Sequence, residues 1–170
     1  MSSFTVGFVL FPDLTQLDLT GPLQVLARLP QSRTVVAAKS ESPVPSDCGL
    51  SLSPTHSFAK CPPFDLICVP GGVKGVIGAK HEKGRIVRDG NLITAGGVTA
   101  GVDFGLSVVA EIAGETTACT IQLGIEYDPA PPFDSGHPDR APESVKAALS
   151  ERYGKARAAL RDGITQSVMA

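Results

Sequence analysis

A carboxylate, two glycines and a hydroxyl are the residues of this 170-residue chain whose placement suits chemistry. Asp18 stands in "LFPDLTQLDLTGP", just beyond an apolar run and just before a helix pattern. A carboxylate at the end of a strand can serve as general acid or base. Capping, or charge complementarity at the helix N-terminus, explains the same residue without chemistry, and local sequence favours that simpler role. Gly71 and Gly72 close "FDLICVP". Without side chains they let the backbone approach a ligand, and successive N–H groups there can form an anion nest or oxyanion hole. An ordinary strand-exit turn is the plainer alternative. Thr99 and Asp103 open the helix that follows "AGG". They can bond a substrate, although capping accounts for both.

Other chemistries find less support. Cys68 lies inside an apolar strand pattern and reads as a small hydrophobe, while Cys48, Cys61 and Cys119 have no base beside them in sequence. His56, His81 and His137 are scattered, with no tight ligand spacing, so no metal site is expected. Neither a G-x-S-x-G elbow, a P-loop nor a complete G-x-G-x-x-G fingerprint occurs.

The elements that must hold these residues follow from periodicity and turn chemistry. Thr5–Phe11 is a nearly continuous apolar run of strand length, the pattern of a strand buried on both faces. Pro22 suits a first helical turn, which predicts a helix over about Pro22–Leu29 capped by Thr20 or Gly21. Thr34–Ser40 and Phe64–Pro70 read as further strands, and "GLSLSPTHSF" as a short edge element limited by Pro54. "VKGVIGAK" is a weak helix at best. Asp89-Gly90 between two apolar runs predicts a hairpin. A helix follows with Thr99 as cap, Val102, Leu106, Val109 and Ile112 as its stripe, and Gly114 as its end. Another helix begins near Glu115. An irregular Pro-rich stretch precedes a last amphipathic helix in "ESVKAALSERYGKARAAL". Strand and helix alternate as in an α/β fold with a doubly wound, mainly parallel sheet, and such sheets place ligands outside the carboxyl ends of their strands.

Bulk properties narrow the function classes. Fifteen basic against seventeen acidic side chains give a net charge of −2, which carries no footprint for nucleic acid or an anionic membrane. No apolar run reaches spanning length, and the N-terminus lacks a signal peptide's basic flank, so a cytoplasmic protein is expected. Four cysteines without CxxC spacing read as free thiols. One domain over residues 1–170 is expected, with 128–170 as a Pro-rich and helical C-terminal extension.

Four segments in order carry a resemblance: "GFVLFPDLTQLDLTGPLQVLA", "CPPFDLICVPGG", "RIVRDGNLITAGGVTAGVDFGL" and "QLGIEYDPAPPFDSGHP". Together they resemble the ThiJ/PfpI superfamily, of flavodoxin-like, class I glutamine amidotransferase-like fold, and within it the isonitrile hydratase group. The resemblance implies a homodimer without cofactor that adds water to an isonitrile and forms an N-substituted formamide. A cysteine thiolate attacks the isonitrile carbon in that group, and water then releases the product from a thioimidate. Asp18 matches the carboxylate that manages protons, and Gly71 and Gly72 the glycine turn that shapes the pocket. Thr99 lies within the "GGVTAG" segment that carries part of the resemblance.

One departure stands out. Between "PGGVKGVIGA" and "KGRIVRDGN" the resemblance implies several dozen further residues, including the sharp turn that bears the nucleophile. None of the four cysteines falls at that position. An impaired hydratase, a non-catalytic binding or dimerising pseudoenzyme, and an incomplete gene product are the three readings this leaves.

Overall fold

The structure is a computed structural model that describes residues 4–72 and 84–154. By contact density the chain divides into two compact units, Met1–Tyr127 and Asp128–Ala170.

The first unit is built on a four-stranded sheet in which every pairing is parallel, as the βα alternation predicts. Strand β1 spans Phe4–Val9, β2 Ser32–Ala38, β5 His56–Ser57 and β6 Leu66–Cys68, in the order β5-β2-β1-β6. Phe8 pairs with Val36 on one side and Cys68 on the other. Being flanked on both sides, β1 is buried and mostly apolar: Val6 and Phe8 lie in the core, and Thr5 is its one buried polar side chain. The expected edge element after β2 is instead several short pieces. Strands β3 (Val44–Pro45) and β4 (Ser51–Leu52) pair antiparallel, β5 joins the main sheet, and a 3₁₀ turn covers Phe58–Lys60.

Helix α1 spans Gln16–Leu26, six residues ahead of its predicted start, and this corrects the position of Asp18. Asp18 is the third residue of the helix and not part of a loop before it. Pro22 therefore lies inside the helix, where it removes one backbone hydrogen bond. Contacts along the first turn offset that loss. The Gln16 side-chain amide donates to the Thr20 hydroxyl (2.6 Å), and that hydroxyl donates back to the Gln16 carbonyl (3.2 Å).

Strands β7 (Ile86–Asp89) and β8 (Leu92–Ala95) form the predicted hairpin. Asp89 pairs with Leu92, so the two-residue turn is Gly90-Asn91, one position beyond the expected Asp89-Gly90. Gly90, at φ 59°, supplies the positive φ such a turn requires. Helix α2 (Ala100–Ala113) and helix α3 (Glu115–Gly124) follow, divided at Gly114 with φ 85°. The buried face of α2 carries Ala100, Gly105, Val108 and Val109. Ile112, expected on that stripe, is 42% exposed, while Val102 and Leu106 are partly buried against the core.

Glycine decides how α1 and α2 meet. A Cβ on Gly101 would lie 2.8 Å from the Pro22 ring, and one on Gly105 would lie 2.9 Å from Val25. The contacts advance in step, so the two helices run in the same direction, with the first turn of α2 against Pro22 and its second against Val25. In the second unit, residues 143–154 are helical after the irregular, Pro-rich stretch from Asp128. The weak helix expected over 73–80, and the last residues of the C-terminal helix, lie outside the described residues.

Candidate functional site

The loop after β1 is held on two sides at the carboxyl ends of the strands. On one side the Asp13 N–H donates to the Pro45 carbonyl (3.0 Å), the Asp47 N–H donates to the Leu14 carbonyl (3.0 Å), and Leu14 bridges Ser46. On the other, Leu14 bridges Gly72 and the Thr15 N–H donates to the Gly71 carbonyl (2.9 Å). Asp13 makes the entry into this clamp at φ 63°, a left-handed conformation that aspartate tolerates better than most residues. Leu14 is fully buried at the centre.

Asp18 and Gly71, 53 residues apart in sequence, meet here. The Gly71 N–H donates to Asp18 Oδ2 at 3.1 Å. Only glycine permits this approach, because a Cβ at residue 71 would lie 2.5 Å from the same oxygen. Gly72 is crowded by the loop after β1: its Cβ would fall 3.1 Å from the Asp13 carbonyl oxygen and 3.3 Å from the Leu14 Cα. Gly71 is thus matched to the Asp18 side chain and Gly72 to a crowded backbone, and neither has a positive φ. The turn does provide a backbone donor, but Asp18 occupies it.

The carboxyl of Asp18 is half-buried, and its pKa is raised above the ordinary 3.8. Loss of water is the main cause, and the negative charge of Asp47 adds to it; the Gly71 N–H works in the opposite direction. Such a group takes up a proton more readily than a surface aspartate, which suits an acid–base role.

Thr99 precedes the first turn of α2, which packs beside Pro22 of α1, and it is engaged elsewhere. It occupies the N-cap position of α2, as predicted, yet makes no side-chain cap. Its hydroxyl accepts from Arg85 Nη2 (3.1 Å), while Arg85 Nε pairs with Asp103 Oδ2. The Tyr127 hydroxyl donates to the other Asp103 oxygen at 2.8 Å. Asp103 therefore joins the hairpin to the segment after α3, a role that neither of its expected functions covers. Among the described residues no hydrogen bond links this cluster to Asp18.

The cysteines are dispersed. Cys68 is buried on β6 and desolvation pushes its thiol up to about 12, so it is protonated and inert at neutral pH. Cys48 and Cys119 are exposed, and the Cys61 thiol donates to the Ser57 carbonyl (3.2 Å). Among the described residues no three His, Cys, Asp or Glu side chains form a metal-binding group, and no helix is long and apolar enough to cross a membrane. His81 lies outside the described residues.

Sequence reasoning overlooked Asp47. Its carboxylate accepts from the N–H of Gln16, the first residue of α1, across 31 positions (3.3 Å). No spacing in "PSDCG" announces that contact, because it depends on how the β3–β4 loop folds back. Arg85 and Tyr127 went unnoticed for the same reason.

Comparison with known proteins places this geometry in context. No protein-family model matches the chain. The isonitrile hydratase of Pseudomonas putida is 40% identical over 195 residues, covering 82% of this chain and 86% of that protein. That alignment is longer than the 170-residue chain, so it contains positions at which the chain has no residue. The crystal structure of a ThiJ/PfpI family protein from Pseudomonas syringae superposes with a TM-score of 0.86 at 30% identity, covering 94% of this chain and 91% of that one. Drosophila melanogaster DJ-1beta, at 17% identity and TM-score 0.65, covers 73% of this chain and 98% of its own, and shares the fold alone.

Proposed function

The chain belongs to the isonitrile hydratase group of the ThiJ/PfpI superfamily, and on that premise we propose an isonitrile-hydratase-like protein that keeps the carboxylate side of a small-molecule site but has lost turnover. The observation that carries this reading is the Asp18–Gly71 contact at the carboxyl ends of β1 and β6, with the carboxyl held in a proton-retaining environment. Hydration of an isonitrile places a hydrogen and an oxygen on the terminal carbon and a hydrogen on nitrogen, giving an N-substituted formamide. A half-buried carboxyl can deliver and recover those protons. Gly71 holds that carboxyl directly, Gly72 packs against the loop before it at Asp13 and Leu14, and Thr99 stands at the N-cap of α2.

A nucleophile is the missing part. Cys68 is a buried thiol on the strand before the glycine turn, and the sequence between Gly72 and Arg85 contains neither Cys nor Ser. The overlong alignment with the P. putida enzyme agrees with an internal loss from this chain. Loss of a covalent nucleophile costs on the order of 10⁶ in turnover. With this reading goes a cytoplasmic homodimer that needs no cofactor, folded as one domain with 128–170 as an extension. The same length mismatch favours a second reading, an incomplete gene product. The intact mass of the protein from its own organism distinguishes the two, since a mass above that of these 170 residues means that the segment exists.

The functional test is direct. Purified chain is incubated with an aryl isonitrile and formamide is quantified by chromatography. The expected yield equals that of buffer alone. Enzyme-rate formamide production that disappears in Asp18→Asn overturns the proposal.

A further inference from the structure

Helix α1 begins at Gln16, and its N-cap residue Thr15 makes no side-chain hydrogen bond to the helix. A helix start normally satisfies its orphan N–H groups with a neighbouring Ser, Thr, Asp or Asn. Here the acceptor comes from the loop between β3 and β4, where Asp47 Oδ1 receives the Gln16 N–H. We propose that Asp47 is the positioning residue of the Asp18 site, capping α1 from outside and fixing the height of its first turn against Gly71. The proposal rests on reading Asp18 and Gly71 as the site.

Geometry limits how else that turn can be set. Asp47 is itself anchored, because its N–H donates to the Leu14 carbonyl and its neighbour Ser46 bridges the same leucine. Ser46 in turn is held by hydrogen bonds to the Leu50 carbonyl from its N–H and its hydroxyl, both at 2.8 Å. The carboxylate is therefore carried by a loop that is tied to the chain it caps. Across the turn, the Thr15 N–H and the Asp18 carboxylate take the two backbone groups of Gly71. Asp47 and Gly71 thus grip one helical turn from opposite sides, and Asp18 lies on that turn.

Among the described residues the charges around Asp18 are few. Asp47 faces it from the β3–β4 loop and Gly71 contributes backbone only. From the packed helix α2, Gly101, Val102 and Gly105 face α1, while the Asp103 carboxylate is taken by Arg85 and Tyr127. Asp47 is the one side chain among these that both touches the turn and bears on the Asp18 charge.

The test compares the full chain with Asp47→Ala and Asp47→Asn by NMR without ligand, reading amide exchange at Gln16 and Gly71 and the carboxyl ¹³C titration of Asp18. Asp47→Ala is expected to speed exchange at both amides by about fivefold, the size of a lost cap, and to move the Asp18 titration. Asp47→Asn, which keeps an acceptor and removes the charge, is expected to restore slow exchange while lowering the Asp18 pKa. Wild-type exchange and titration in Asp47→Ala overturn the proposal, as does failure of Asp47→Asn to restore slow exchange. Should Asp47→Ala fail to fold, the Asp47→Asn titration decides alone, and an unmoved Asp18 overturns it. None of these readings involves isonitrile, so a failure of the functional proposal registers separately, in the turnover assay.

Discussion

Gly71→Ala is the substitution whose effect the geometry defines most closely. The new methyl would start 2.5 Å from Asp18 Oδ2, whereas ordinary contacts begin near 3.4 Å. The backbone at residue 71 needs no positive φ, so the clash falls on the end of the Asp18 side chain. A rotation of roughly an ångström relieves it and breaks the 3.1 Å bond from the Gly71 N–H. Hydrogen bonds to a charged group contribute about 1.5–3 kcal/mol, and the half-buried carboxyl belongs at the lower end. Glycine to alanine in a compatible conformation gains about 0.4–1 kcal/mol through the unfolded chain. The net cost is therefore about 1 kcal/mol. In an Asp18→Ala background neither clash nor bond exists, and the same substitution should be neutral or stabilising. A double-mutant cycle by urea unfolding, followed by circular dichroism at pH 7, is expected to give a coupling of about 1.5 kcal/mol. Coupling below about 0.5 kcal/mol, within the ordinary error of additivity, would mean that Asp18 and Gly71 do not hold each other.

Three other outcomes follow from the same structure. Gly105→Val places branched bulk 2.9 Å from Val25 and 3.4 Å from the Pro22 Cα, so overpacking should cost about 1–3 kcal/mol; an unchanged urea midpoint contradicts the close α1–α2 contact. Native-state alkylation should modify Cys48 and Cys119 and spare Cys68 until the protein unfolds, which mass spectrometry of the peptides will reveal. Because the folded pKa of Asp18 lies above its ordinary 3.8, the native state holds this proton more tightly than the unfolded chain. That contribution is complete below 3.8 and is lost as pH rises through the folded pKa. Asp18→Asn should therefore gain in relative melting temperature from pH 3 to pH 7, and a gain confined to acid pH would contradict the sign.

The legible parts of this fold are those set by local pattern. Val6 and Phe8 announced a strand buried on both faces, and Gly90 beside Asp89 announced a hairpin, one residue out of place. Gly114 divided two helices as expected. The start of α1 was misplaced because Pro22 was taken for a first-turn proline. Bonds between Gln16 and Thr20, with a distant cap from Asp47, carry the helix six residues further back. Asp18, Gly71 and Gly72 could be singled out by type and by position after strands. Their contact could not, since it requires β1 and β6 to pair in register. Asp47, Arg85 and Tyr127 remained invisible for the same physical reason: each acts across a fold on a partner that no sequence window contains.

Titration of labelled protein with an N-aryl formamide asks whether Asp18 and Gly71 form a small-molecule site. Saturable shifts of the Gly71 amide and the Asp18 carboxyl ¹³C signal are expected, with the Gly71 shift weakened in Asp18→Asn. Signals at Gly71 and Asp18 that stay fixed in a folded protein, at ligand concentrations where shifts appear elsewhere, would contradict it.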